Sequence, residues 1–417
     1  MHKKPTVLGA QNALQVLSTV VQETPLQYNK RLSDALSASI FLKREDQQQV
    51  RSFKIRGAFN KINALDPKEL EKGIVCASAG NHAQGFAFSC NQLRITGIVY
   101  MPIPTPNQKV EQVKMFGGSY VSIVLVGDTY DDSQQAALAH CKKDGLAFVH
   151  PFDDVDVIEG QATIAIELIE QAKTPLDYVF VPIGGGGLIS GILTVFKALS
   201  PQTKIIGVEP LGAPSMKISL ENKKNTRLQK IDKFVDGAAV QQVGNLSFEI
   251  CKKHLDACIT VDEGRICQEI LDLYNKEGIV AEPAGALAIA AMDQYASEIK
   301  GKQVAAILCG GNNDITRTPE IEERALLYAQ LKHYFIVRFP QRAGALKDFV
   351  THVLGPDDDI THFEFSKKTN QHFAPAVVGV VLKSEADFVP LMERMKTQGF
   401  FGEYLNDKPN LFDFLKN

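Results

Sequence analysis

Tyr178-Val179-Phe180-Val181-Pro182-Ile183-Gly184-Gly185-Gly186-Gly187-Leu188 decides the fold class of this 417-residue chain. Six apolar residues make a run short enough for a buried strand. A helix is expected directly after it, over 188–199, with Ile189, Ile192, Leu193 and Phe196 on one stripe. The four glycines between them let a backbone approach a ligand with its N–H groups exposed, and the helix start favours an anion. Their spacing fits neither the dinucleotide pattern G-x-G-x-x-G nor the Walker pattern G-x-x-x-x-G-K. Taken alone, they suit a phosphate cradle and a mere tight turn about equally.

The same strand-then-helix alternation extends outward. Strands are expected over 74–77, 95–101, 120–126, 204–208 and 304–309, and helices over 83–92 and 107–116. Such alternation predicts an α/β fold of parallel sheets covered by helices, with ligands beyond the carboxyl ends of the strands. Three polar or glycine-rich segments follow strands at that place, at 78, 184 and 309.

A connection is expected near 318–333, with an acidic helix beginning at Thr318-Pro319. Beyond it the pattern changes to strand 334–340, helix 345–354, strands 360–366 and 377–382, and strand 400–405. Phe388, Leu391, Met392 and Met395, spaced i, i+3, i+4, i+7, mark a helix before the last strand. The order β-α-β-β-α-β is ferredoxin-like. The expected domains are 1–325, with a smaller subdomain at about 50–155 inserted in it, and 326–417.

Composition narrows the function classes. Hydrophobic residues make up 45% and charged residues 22%, as in an ordinary globular protein. A net charge of -3 carries no electrostatic footprint for nucleic acid. No run reaches the ~20 apolar residues of a membrane helix, and Met1-His2-Lys3-Lys4-Pro5 opens no secretory signal. Seven cysteines without a C-x-x-C pair point to free thiols in a reducing cytoplasm, not to structural zinc.

The chemistry centres on Ser52-Phe53-Lys54-Ile55-Arg56-Gly57. A lysine among small and apolar residues becomes a nucleophile when burial or nearby positive charge lowers its pKa. Arg56 is expected to add that charge. Downstream stand Ser78-Ala79-Gly80-Asn81-His82, the glycine run, Glu282-Pro283-Ala284-Gly285 and Cys309-Gly310-Gly311-Asn312. In this order the set resembles the pyridoxal-phosphate enzymes of the threonine dehydratase and serine racemase group, over roughly residues 5–320. The end of the chain resembles the single ACT-like regulatory domain of some biosynthetic threonine dehydratases. Only Arg342-Ala343-Gly344-Ala345-Leu346 matches a motif there, with Ala343 where the family usually has proline.

The resemblance implies a fold-type II enzyme, tryptophan synthase β-like, with two parallel-sheet subdomains. Lys54 becomes the Schiff-base lysine and the base that takes the substrate α-proton, with pyridoxal phosphate as electron sink. Phe53 packs beside the ring, although an ordinary core phenylalanine is equally expected there. Gly184, Gly185, Gly186, Gly187 and Leu188 hold the phosphate. Ser78, Ala79, Gly80, Asn81 and His82 receive the substrate carboxylate, and Asn81 also meets the cofactor's 3′-oxygen. Without the resemblance, Ser78 or Asn81 reads as a helix N-cap and His82 as a structural histidine. Cys309 faces the pyridine nitrogen as a neutral partner, which suits β-elimination. Glu282 lies near the cofactor's polar edge.

Racemases of this fold place a serine at the position of Ala79; alanine transfers no proton, so elimination is favoured over racemisation. Glu209-Pro210-Leu211-Gly212-Ala213-Pro214-Ser215 matches a metal-binding segment of the racemase branch, where an aspartate stands in place of Ser215. With one carboxylate fewer, no metal is expected. The expected activity is dehydration of L-threonine to 2-oxobutanoate and ammonia, with L-serine as second substrate. Isoleucine or valine is the expected effector, and a homotetramer the expected assembly. The alternatives are a catabolic serine/threonine dehydratase, a serine racemase and, further off, a non-catalytic amino-acid sensor.

Overall fold

The computed structural model describes residues 4–365 and 373–408. The chain divides into two compact units, Met1–Arg317 and Thr318–Asn417, so the acidic helix Thr318–Tyr328 belongs to the second. Two sheets build the first unit. The larger runs in the order Leu26–Tyr28, Ser39–Arg44, Gln303–Leu308, Tyr178–Pro182, Lys204–Pro210, Ala257–Val261. All its neighbours are parallel except Leu26–Tyr28, which lies antiparallel on the edge. The smaller runs Val121–Leu125, Gly97–Met101, Ile74–Ala77, Ala147–Phe148 and is parallel throughout.

Parallel strands need helical crossovers, which cover both faces and demand apolar residues on both. Ile74–Ala77 and Tyr178–Pro182 are accordingly buried at every position. In the smaller sheet, Ile74, Cys76, Val99 and Met101 pack with Phe86 and Cys90 of the helix Asn81–Leu93. Val75, Ala77 and Tyr100 face the other way, onto Ala137 and Cys141 of the helix Tyr130–Asp144. Two-residue periodicity thus feeds two separate cores.

The segments expected to bear function sit just past strand ends. Ser78 follows Ile74–Ala77, Gly184 follows Tyr178–Pro182, and Cys309 follows Gln303–Leu308. The helix Lys54–Asn63 packs against Asn81–Leu93 and Val155–Gln171. Gly85 permits the first contact: a Cβ there would stand 3.0 Å from the backbone of both Lys54 and Ile55.

The second unit is one antiparallel sheet in the order Asp359–Phe365, Phe373–Val381, Lys332–Pro340, Phe401–Tyr404. Helices Ala345–His352 and Phe388–Thr397 complete the β-α-β-β-α-β order, and the strand arrangement is that of a ferredoxin-like fold. Gly344 takes a left-handed φ of 84° where the chain turns into the first helix. The expected strand over 360–366 spans Asp359–Phe365; Ser366 lies outside the described residues. Phe335, Phe339, Phe349, Leu391, Met395 and Phe400 form the core.

Candidate active site

Lys54 opens its helix directly after a short bridge to the segment just past the carboxyl end of the interior strand Gln303–Leu308. Ser52 pairs with Gly310, Phe53 N donates to Cys309 O at 3.2 Å, and Gly311 N donates to Arg51 O at 2.9 Å. These bonds bring two segments from opposite ends of the first unit's sequence into register and place Lys54 beside Cys309. The Lys54 Nζ donates to the carbonyl of Pro151 at 2.9 Å. It also lies 5.4 Å from the Phe53 ring centroid.

Burial lowers the Lys54 pKa to about 8, against the raising influence of Cys309 and Glu282. The charge expected from Arg56 plays no part. Positions i and i+2 of a helix do not share a face, and Arg56 turns away into a buried cluster. There it bonds both Glu45 oxygens, both Glu167 oxygens and Thr163 Oγ1. Lys54 owes its lowered pKa to desolvation.

Lys54 and Phe53 line one cavity with Gly184, Gly185, Gly186, Gly187, Leu188 and Cys309. The cradle admits glycine alone. A Cβ on Gly185 would fall 2.2 Å from the Phe152 ring, and Gly186 has φ 95°. The helix Gly187–Leu199 that starts there has no side-chain cap, so its first N–H groups are left for an anion. A half-buried lysine beside an uncapped glycine cradle fits pyridoxal phosphate, which needs a lysine for its aldehyde and N–H groups for its phosphate. Cys309 is buried and donates to Ala284 O at 3.3 Å. Burial, with Glu282, pushes its thiol well above the ordinary range, so it keeps its proton.

Asn81 and Glu282 meet directly: Asn81 Nδ2 donates to Glu282 Oε1 at 2.6 Å. Burial, then Asp236, raises the Glu282 carboxyl to about 7. Ser78, Ala79 and Gly80 are half-buried after their strand and lie outside the cavity's lining. Ser78 Oγ accepts from Gly80 N at 3.2 Å, and neither Ser78 nor Asn81 caps the helix: Gly80 holds that position, without a side-chain bond. The N-cap reading of these two residues is therefore corrected. His82 is buried, with Nε2 3.1 Å from Val149 O, and burial lowers its pKa to about 3. It stays neutral and holds the loop.

Pro182 of the opening stretch and Ala284 of the Glu282 motif also line the cavity, and so do Phe152, Gly237 and Ala238, which sequence patterns did not single out. Phe152, Gly237 and Ala238 lie in irregular segments without hydrophobic period. In the Glu209 segment, the buried carboxylate accepts from Met216 N at 2.7 Å and Lys217 N at 2.8 Å. Among the described residues, no His, Cys, Asp and Glu gather into a group able to hold a metal, and no helix is long and apolar enough to cross a membrane.

Two family models match the chain: pyridoxal-phosphate dependent enzyme over residues 17–310, and C-terminal regulatory domain of threonine dehydratase over 323–415. A biosynthetic L-threonine dehydratase of Halalkalibacterium halodurans is 53% identical, over 97% of both chains. The processed form of threonine deaminase isoform 2 from Solanum lycopersicum is 41% identical with TM-score 0.73, over 78% of this chain and 91% of that one. A threonine deaminase of T.th. is 34% identical with TM-score 0.70, over 75% of this chain and 99% of that one.

Proposed function

The chain belongs to the pyridoxal-phosphate-dependent enzymes, among the biosynthetic threonine dehydratases, and on that ground we propose that it converts L-threonine to 2-oxobutanoate and ammonia. The observation that carries this is half-buried Lys54, its pKa lowered to about 8 by desolvation, in one cavity with the glycine cradle and the Cys309 thiol.

Pyridoxal phosphate, when bound, supplies the electron sink that makes the α-proton of an amino acid removable. Gly184, Gly185, Gly186, Gly187 and Leu188 would hold its phosphate. Cys309 would meet its ring nitrogen as a neutral group, and Asn81 its ring oxygen. The loop at Ser78 to His82 would take the substrate carboxylate on backbone N–H groups of the uncapped helix Asn81–Leu93. Lys54 takes the α-proton; the β-hydroxyl leaves as water, and hydrolysis of the released enamine yields ammonia and the 2-oxo acid. Ala79 offers no second acid/base group, which supports elimination over racemisation.

L-Serine, giving pyruvate, is the second substrate. Isoleucine or valine binds the second unit and regulates turnover. The assembly is a homotetramer in the cytoplasm; the seven free thiols suit that compartment.

The test is 2-oxobutanoate formation from L-threonine by wild type and Lys54→Ala, with the cofactor's visible absorption followed in both. Product from the wild type alone is expected. A visible band that Lys54→Ala alters, with no product from threonine, would refute the substrate and leave the cofactor in place.

A further inference from the structure

We propose that Asn312 is a positioning residue which, through Asn81, sets the orientation of the amide that meets the cofactor. The inference rests on the pyridoxal-phosphate reading above. It starts from an atom that cannot change role. The Val50 carbonyl oxygen only accepts hydrogen bonds, and an Asn312 side-chain atom lies 2.8 Å from it. That atom must be Nδ2. The same nitrogen lies 2.8 Å from Asn81, so the Asn81 atom facing it is Oδ1. Asn81 Nδ2 is thereby turned to Glu282, where the 2.6 Å bond is found.

One backbone carbonyl thus polarises a chain of three side chains: Val50 O, Asn312, Asn81, Glu282. Reversing Asn312 would set oxygen against oxygen at Val50. The arrangement has a cost, since Asn312 Oδ1 is buried without a hydrogen-bond partner among the described residues. Asn81 has two amide hydrogens and gives one to Glu282; the other remains for the cofactor's ring oxygen. A donor there favours the ionised oxygen, so the pH dependence of the cofactor's visible band reports on Asn81's orientation.

The experiment titrates that band in holoenzyme of wild type, Asn312→Ala, Asn81→Ala and the double variant. Asn312→Ala should move the midpoint by roughly one pH unit, the size of one lost hydrogen bond. In the Asn81→Ala background, Asn312→Ala should add nothing, because it acts through Asn81. Should Asn312→Ala fail to fold, near-isosteric Asn312→Asp replaces it in both backgrounds, since its carboxylate cannot donate to Val50 O. An unmoved midpoint in the single variant, or additive shifts in the double, overturns the proposal. A wild type without any band sensitive to Lys54→Ala would overturn the cofactor reading instead, and the inference with it.

Discussion

Lys54 is a charged residue kept where its charge is disfavoured. The unfolded chain holds its proton with a pKa of 10.5, the fold with about 8. Below pH 8 both states are protonated, and the fold carries the cost of a partly desolvated ammonium. Between 8 and 10.5 only the unfolded state binds the proton, so stability rises with pH. Lys54→Met has no proton to bind. The cofactor-free variant should therefore be more stable than wild type below pH 8, by at most about 3 kcal/mol, with the gain shrinking toward pH 10.5. Urea unfolding of both proteins at several pH values checks this; a difference independent of pH would refute the account. The lysine itself was legible from its apolar neighbours. The cause of its pKa was not, because adjacency in sequence suggested Arg56 where helix geometry sends that side chain elsewhere. Phe152 escaped for a different reason: its ring meets Gly185 only after a loop has folded back.

The helix Lys54–Asn63 is pinned by that Arg56 cluster. Arg56, Glu45 and Lys43 are fully buried and Glu167 nearly so, drawn from a strand, a short turn and two helices. Arg56→Met would leave two buried carboxylates sharing Lys43, whose own pKa burial already lowers. The expected loss is about 3–5 kcal/mol, read as a lower urea midpoint. Glu45→Gln in the same variant should recover part of it by removing one unpaired charge; no recovery would mean that lost packing, not charge, sets the cost. Fully buried strands were legible: the expected 74–77 is Ile74–Ala77, because a strand buried on both faces is an unbroken apolar run. The expected 377–382 in the second unit begins earlier, at Phe373. Helix starts at Asn107, Thr318 and Ala345 were met, and one was missed. The expected 83–92 begins at Asn81, since an uncapped start carries no Ser, Thr or Asp signal at its N-cap.

The chain joins a unit that holds every candidate catalytic residue to one that holds none. The first has its own two sheets and cores, and the T.th. threonine deaminase matches 75% of this chain over 99% of its own length. A protein ending at Arg317 should therefore fold and turn over L-threonine. The second unit also closes a core of its own, around Phe335, Phe339 and Phe349, which makes it a separable module. If isoleucine acts there, the full chain should show a shift of roughly 5- to 150-fold in its apparent affinity for threonine, the usual span of coupling between two sites. The truncated protein should show none. Coupling between binding free energies is reciprocal, so an unreactive threonine analogue must move isoleucine affinity in the full chain by the factor that isoleucine moves the analogue's. Calorimetry on both proteins measures the two sides. Isoleucine sensitivity that survives in residues 1–317 would place the effector in the catalytic unit and leave the second unit an assembly module. A truncated protein that is active, unresponsive and smaller in solution would assign both regulation and assembly to the ferredoxin-like unit.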